Sequence, residues 1–421
     1  MRRKAMYDYG CNRPVWPSIA AWRRTEMGTS CQRGRLLLAA TCLVMVPSTG
    51  GVLRAQPPVL SITLTGQSMI RSDIRAHAPS AVPIITSLVK GDVVFTNFES
   101  TVLDERKGQS PKDGRFLSPP QAIEALKTFG FNLVSLSNNH SFDLKLPGVQ
   151  NTLAQVNRLN LAHAGIGNTL AEAVAPGYLR TPKGTVALVA MASGLVPEGG
   201  SATATRAGVN ELRVEANKPN EEDAQRILQS IRVARRQADL VIVYEHNHVF
   251  DKPFRTIMLE ELPERLAPPD WLKKWTHAEV DQGADIIVMH GAPLLHGVEI
   301  YRGRPIFFDL GNFIFQAPPA DILLDEPINW ESVVAYVEYQ GKNLKSIRFR
   351  PIAQNKIGQG QADTQDEHTN NLFLQTRGLP TPATGEQAHY ILARLADLSR
   401  PFGTVLEVKG DMAEIKLKGG N

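Results

Sequence analysis

The hydrophobic positions of this chain fall into two alternating textures. Short, continuous apolar runs rich in β-branched residues recur at 60–64, 93–96, 133–136, 186–190, 240–244, 286–289 and 306–308. Between several of them lie longer stretches with helical periodicity, at 79–90, 119–129, 146–159, 219–237 and 270–282. Apolar runs this short read as strands buried on both faces, and the periodic stretches as helices that cover them. The alternation predicts an α/β fold with helices on the outer faces of its sheet. Beyond residue 330 the texture changes. Segments 333–339 and 344–350 predict a hairpin around Gly341-Lys342-Asn343, and a polar stretch succeeds it at 354–370. A helix at 385–399 then precedes short strands near 404–408 and 412–417. The Pro-rich patches at 263–269 and 317–327 read as surface loops.

The N-terminus has a different pattern. Arg33-Gly34-Arg35 leads into an apolar run ending at Val46, too short for the ~20 residues that span a bilayer. A basic flank and a short apolar core match a secretory signal, with Ala55 next to the expected cut before Gln56. Residues 1–55 are therefore expected to be a leader, with the signal peptide at 27–55 and Met27 as the better start. The mature chain is expected to be exported. All three cysteines, Cys11, Cys31 and Cys42, fall in the leader. This excludes a disulfide scaffold or a cysteine-ligated zinc site downstream. The net charge of +4 has the same origin, because the leader holds nine of the 46 basic and two of the 42 acidic residues. The chain beyond the leader is slightly acidic, so a nucleic-acid partner is not expected.

The candidate chemistry lies at the strand ends, where ligands collect in α/β sheets. Gly66-Gln67-Ser68 comes after the first strand, Asn97-Phe98-Glu99 after the second, and Ser137-Asn138-Asn139-His140 with Asp143 after the third. Glu245-His246-Asn247-His248 and His290-Gly291 end two later strands. Four of the ten histidines lie in these loops. Imidazole, carboxylate and amide oxygen are the donors that borderline divalent metals take. Taken singly, a strand-end histidine usually satisfies a backbone group; five polar strand ends together point to one shared site. His77, His163, His277, His368 and His389 lack such a setting and read as structural or exposed.

In order, these motifs resemble the bacterial CapA-like proteins of capsule and poly-γ-glutamate synthesis, a branch of the calcineurin-like metallophosphatase superfamily. Asp92 to Glu99 matches the family's Asp-Val-x-x-x-Asn-Leu-Glu, and Asn138-Asn139-His140 with Asp143 matches its Asn-Asn-His motif. Gly283-Ala284-Asp285, His290, Gly297-Val298-Glu299 and Leu310-Gly311-Asn312-Phe313 match its last motifs. The chain departs from the pattern at Gln67, where the family places an aspartate, and at Gly291 and Pro293, where it places further histidines.

The resemblance implies a layered, metallophosphatase-like β-sandwich flanked by helices (α/β/β/α) over residues 56–352, with a β-rich C-terminal extension over 353–421. It implies Glu99, Asn139, His246 and His290 as metal ligands, with His248 or His296 as possible substitutes. One divalent ion (manganese, zinc or iron) is expected, or none if the departures have disabled the site. His140, oriented by Asp143, is the expected general acid. Arg71, Asn97, Asn138, His248 and Asn312 are expected to face substrate. The implied activity is phosphoesterase-like hydrolysis of a polymer or its precursor; the alternative is a non-catalytic binding or assembly factor. The partners would be an anionic polymer, polyglutamate or polysaccharide, and a membrane synthesis complex.

Overall fold

The apolar runs form strands, and the strands sort into two stacked sheets. The computed structural model describes residues 56–110, 115–260, 263–317, 324, 326–358 and 376–417. The leader with its expected signal peptide, and most of the polar 354–370 stretch, lie outside the described residues. In chain order the first half contributes β1 (Val59–Met69), α1 (Ala81–Leu88), β2 (Val93–Phe98), α2 (Pro120–Phe129), β3 (Leu133–Ser135), α3 (Lys145–Arg158), β4 (Ala162–Ala164), β5 (Gly177–Thr181) and β6 (Gly184–Ser193). Then come α4 (Glu221–Gln237), β7 (Leu240–Asn247), α5 (Asp270–Asp281), β8 (Ile286–His290), β9 (Val298–Tyr301), β10 (Arg304–Phe307) and β11 (Asn312–Phe315). The chain closes with β12 (Glu331–Gln340), β13 (Asn343–Gln354), β14 (Pro380–Pro382), α6 (Gly385–Ser399), β15 (Leu406–Lys409) and β16 (Met412–Ile415).

The first sheet has ten strands in the order β15-β16-β13-β12-β1-β2-β3-β4, with β11 beside β1 and β14 beside β13. Its β1 to β4 run parallel. β12 pairs antiparallel with the first half of β1. The short β11 takes over along the second half, parallel, and sets Gln67 opposite Asn312. The second sheet has six strands, β9-β10-β8-β7-β6-β5, parallel at its centre.

Side-chain alternation decides what each face meets. In β7, Leu240, Ile242 and Tyr244 enter the core between the sheets, where they meet Leu64 and Phe95 of the first sheet. Val241 and Val243 point the other way, onto Ile227 and Ile231 of α4 and Trp271 of α5. The outer face of the first sheet is covered by α1, α2 and α3 in the same manner. The result is the layered α/β/β/α arrangement. The same period of two places His246 on the inter-sheet side of β7. α6 caps one end of the inter-sheet core with Ile391, Leu392 and Leu395, and β16 adds to the first sheet through β13.

Local signals support the elements. α4 starts at Asn220, whose side chain accepts the Asp223 N–H, and carries Glu221, Glu222 and Asp223 in its first turn and Arg235 and Arg236 in its last. Each charge complements the helix dipole. The Gly283-Ala284-Asp285 stretch is a structural joint. Buried Asp285 accepts the Val241 N–H at 2.9 Å and pairs with Arg235 and, at 3.1 Å, with Arg304. It thereby ties the start of β8 to β7, α4 and β10. Among the described residues no helix is long and apolar enough to cross a membrane.

Candidate metal centre

Strand ends from both sheets meet at one edge of the sandwich. Glu99 comes directly after β2, Asn139 and His140 lie in the loop after β3, His246 is the penultimate residue of β7, and His290 closes β8. Glu99, His246 and His290 are all buried, and each offers a donor atom within 4.8 Å of the others. The His246 Nε2 atom is the hub of the cluster. It lies 2.8 Å from Asn139 Oδ1, 3.1 Å from His248 Nε2 and 3.6 Å from Glu99 Oε1. Two donors held about 2.1 Å from one ion sit ~3.0–3.4 Å apart; the His248 spacing falls in that range, and the Asn139 and Glu99 spacings lie just below and just above it. Behind the ring, the Tyr244 hydroxyl lies 3.3 Å from His246 Nδ1. That contact orients the imidazole with Nε2 toward the cluster.

The polar atoms here are poorly satisfied by protein alone. Glu99 Oε2, both ring nitrogens of His290, Gln67 Oε1 and Asn97 Nδ2 are buried without a hydrogen-bond partner. Orphaned groups gathered in one place point to a partner that is not protein. Electrostatics agree. Burial, then the repulsion of Asp143, pushes the Glu99 carboxyl well above the usual carboxylate range. Burial and the neighbouring imidazoles hold His246 and His290 well below the usual histidine range, in the neutral form that ligates metal. Among the described residues no lysine or arginine pairs with Glu99, and a cation among these donors would supply the charge that keeps its carboxylate ionised. The residues present therefore fit a divalent ion.

His140 stands at the more open side of the cluster, with its side chain 20% exposed. Its Nδ1 lies 2.7 Å from Asp143 Oδ2, and its Nε2 lies 3.9 Å from Glu99 Oε1. The Asp143 carboxylate is itself fixed by the Phe116 N–H at 2.7 Å. The Phe116 ring packs 5.5 Å from His140, and the Arg71 guanidinium lies over the same ring at 4.4 Å.

Two residues expected to face substrate are instead drawn into the frame. Asn138 donates to Phe98 O and Asn97 Oδ1 and accepts the His140 N–H, so its amide builds the loop that presents His140. Asn312 accepts from Gln67 Nε2 at 2.8 Å and donates to Asn329 O at 2.9 Å. Both amides are buried and engaged at each end. Asn97 and His248 lie in the cluster, and Arg71 lies beside it. Of the histidines outside these loops, His277 pairs with Glu299 and stacks on Tyr301, and His163 bonds Leu161 O. His77 and His389 are exposed, and His368 lies outside the described residues.

The departure at 291 has a steric basis. A Cβ on Gly291 would lie 1.7 Å from the Asn247 carbonyl oxygen. A histidine there cannot be accommodated while this loop keeps its course. Pro293 is buried. His296 lines a small cavity with His290, Asn247 and Asp309, outside the Glu99–His246–His290 group. Asp309 is a site residue that sequence reasoning missed. It lies just past β10, is 2% exposed, and places Oδ1 3.7 Å from His290 Nε2. Glu99 is therefore not the only carboxylate at this edge. A charged residue directly after the apolar 306–308 run was the available signal.

The fold and site define an α/β protein of two stacked sheets with a histidine–carboxylate centre at their strand ends. Residues 61–317 match the family described as bacterial capsule synthesis protein PGA_cap. The chain belongs to that family. A protein of Sinorhizobium fredii is 27% identical over 82% of this chain and 90% of its own length. The PGA biosynthesis protein CapA of Bacillus subtilis is 27% identical over 53% of each chain. The capsule biosynthesis protein CapA of Bacillus anthracis is 25% identical over 66% of each. Among solved structures, the NAD nucleotidase of Haemophilus influenzae aligns with a TM-score of 0.38 and 11% identity, over 80% of this chain and 56% of that one.

Proposed function

We propose that this protein is an exported, metal-dependent hydrolase acting on poly-γ-glutamate or a related anionic capsule polymer, or on its activated precursor. The observation that carries this reading is the meeting of Glu99, His246 and His290 with Asn139 at one point, beside a histidine–carboxylate pair. Glu99, Asn139, His246 and His290 would hold one ion of manganese, zinc or iron. When bound, such an ion supplies Lewis-acid polarisation of the scissile group and an activated water.

The remaining roles fall to the chain's own side chains. Asp143 holds the His140 ring with Nδ1 toward itself and stabilises the imidazolium. His140 Nε2, which faces the cluster, donates its proton to the departing oxygen or nitrogen. Arg71, linked to His140 through the Phe116 ring, binds an acidic group of the substrate. His248 and Asn97 line the floor next to the reacting bond. The polymer assignment rests on the capsule family to which the chain belongs and on its PGA-biosynthesis relative. Export rests on the leader sequence, and a membrane synthesis complex on the polymer assignment.

The test is hydrolysis of bis(p-nitrophenyl) phosphate and of polyglutamate by protein stripped with EDTA and then reloaded with manganese. The expected result is turnover by the reloaded protein and less than about 1% of it by the stripped form, the scale of losing a Lewis acid worth several kcal/mol. Binding of manganese and polyglutamate without turnover of either compound would identify an assembly factor instead.

A further inference from the structure

We propose that a lysine-lined groove next to the metal centre is a second binding site, which holds a segment of poly-γ-glutamate away from the reacting bond. The identity of the ligand rests on the polymer reading above; the groove itself does not depend on the metal. It lies between a hairpin at 214–219, the 251–252 loop and the first turns of α5, and has a volume of about 1070 Å³. Cavities that take small molecules measure ~300–1,000 Å³, so this one has room for more than one unit of a chain.

The walls are firm and lie at the right edge of the fold. Ala216 and Asn217 turn the hairpin with φ of 48° and 59°, as the tightest hairpin turns require. Asn217 Nδ2 donates to Asp251 Oδ1 at 2.6 Å and ties this tip to the loop opposite. α5 runs back along the second sheet between β7 and β8, so its N-terminus lies at the strand ends that carry His246 and His290. Pro268 and Pro269, at that N-terminus, line the groove and also the small cavity beside His290 and His296. They form a wall common to both.

The charge inside the groove is unbalanced. Asp270 pairs with Lys273 at 2.6 Å, and Asp251 is engaged by Asn217. The other lysines of the lining, Lys218, Lys252 and Lys274, are exposed and form no salt bridge among the described residues. Between them the surface is apolar, built from proline, alanine and tryptophan. A γ-linked glutamyl chain has the matching alternation, since each unit carries one carboxylate and two backbone methylenes. Its carboxylates would meet the ammonium groups, and its methylenes the proline rings. Trp271 and Trp275 are 6% and 5% exposed, too little to stack on a sugar, so the lining favours polyglutamate over a polysaccharide.

The experiment is fluorescence anisotropy of labelled poly-γ-glutamate, and separately of labelled hyaluronate, titrated with EDTA-stripped protein. The groove variant combines Lys218→Gln, Lys252→Gln and Lys274→Gln. A control combines Lys90→Gln, Lys342→Gln and Lys345→Gln, exposed lysines outside the groove that change the net charge equally. The expected result is at least ~10-fold weaker polyglutamate binding by the groove variant, a modest figure for losing three contacts between unit charges. The control should lose no more than ~2-fold at physiological salt, where distant charges are screened. Both variants should melt with wild type, because exposed substitutions of this kind barely change stability. Equal losses in the two variants, or no polyglutamate binding by wild type, overturn the proposal. A loss confined to hyaluronate overturns the choice of polyglutamate. Because the protein is metal-free throughout, these outcomes stand apart from whether the reloaded form turns over substrate.

Discussion

Replacing His246 with alanine is expected to abolish metal binding. His246 Nε2 is the atom around which Asn139, His248 and Glu99 are arranged, and its ring is fully enclosed with Tyr244 behind it. Loss of a group that merely orients a ligand weakens affinity by about 10- to 100-fold, so loss of the ligand itself should exceed ~100-fold. For wild type, manganese at about a hundredfold its Kd stabilises the fold by about 2.7 kcal/mol. The corresponding rise in Tm should vanish in the variant. Because alanine also leaves a cavity between the sheets, His246→Leu, which carries no donor atom, serves as the companion substitution. It fills the space and should lose the manganese shift while melting closer to the metal-free wild type. A manganese-dependent rise in Tm that survives in both variants would remove His246 from the site.

The second large effect belongs to His140. His140→Ala is expected to lower kcat by about 10²- to 10⁴-fold, the range for losing a general acid. Manganese affinity should hardly change, since the Glu99–His246–His290 group does not include it. Asp143→Asn should lower kcat less, because the Asn amide still fixes the ring while the charge that stabilises imidazolium is gone. Activity on an ester with a very acidic leaving group should recover most in His140→Ala, because such a group departs without a proton. Equal losses on acidic and basic leaving groups would assign His140 to positioning rather than to proton transfer.

Sequence pattern and folded structure agree where local pattern is decisive. β7 is legible because a strand buried on both faces must be apolar along its whole length until the site begins, and 240–244 is. α4 is legible from its cap and its charge gradient. The strand-end histidines are legible because a polar residue at the end of such a run has few structural reasons to be there. The features that escaped depend on pairing across long separations. Gln67 and Asn312 are 245 positions apart, and their amide–amide bond arises because β11 lies beside β1. Nothing in either segment announces that pairing. Asparagine also reads ambiguously, since its amide both donates and accepts and can be used up by the frame, as at Asn138. Asp309 escaped for a related reason. It lies beside His290, but the chain between them leaves the strand end, forms β9 and β10, and returns. The glycine at 291 looks like a lost ligand in sequence. In the folded chain it is the residue that lets the loop pass the Asn247 carbonyl.

Anomalous diffraction from crystals grown with manganese, recorded on the high-energy side of its absorption edge, tests the proposed centre most directly. A single strong peak is expected among Glu99, Asn139, His246 and His290, with donor atoms at about 2.0–2.2 Å as for first-row metals of this kind. Crystals with no anomalous peak there, and with those side chains bonded to one another or to water, would contradict it.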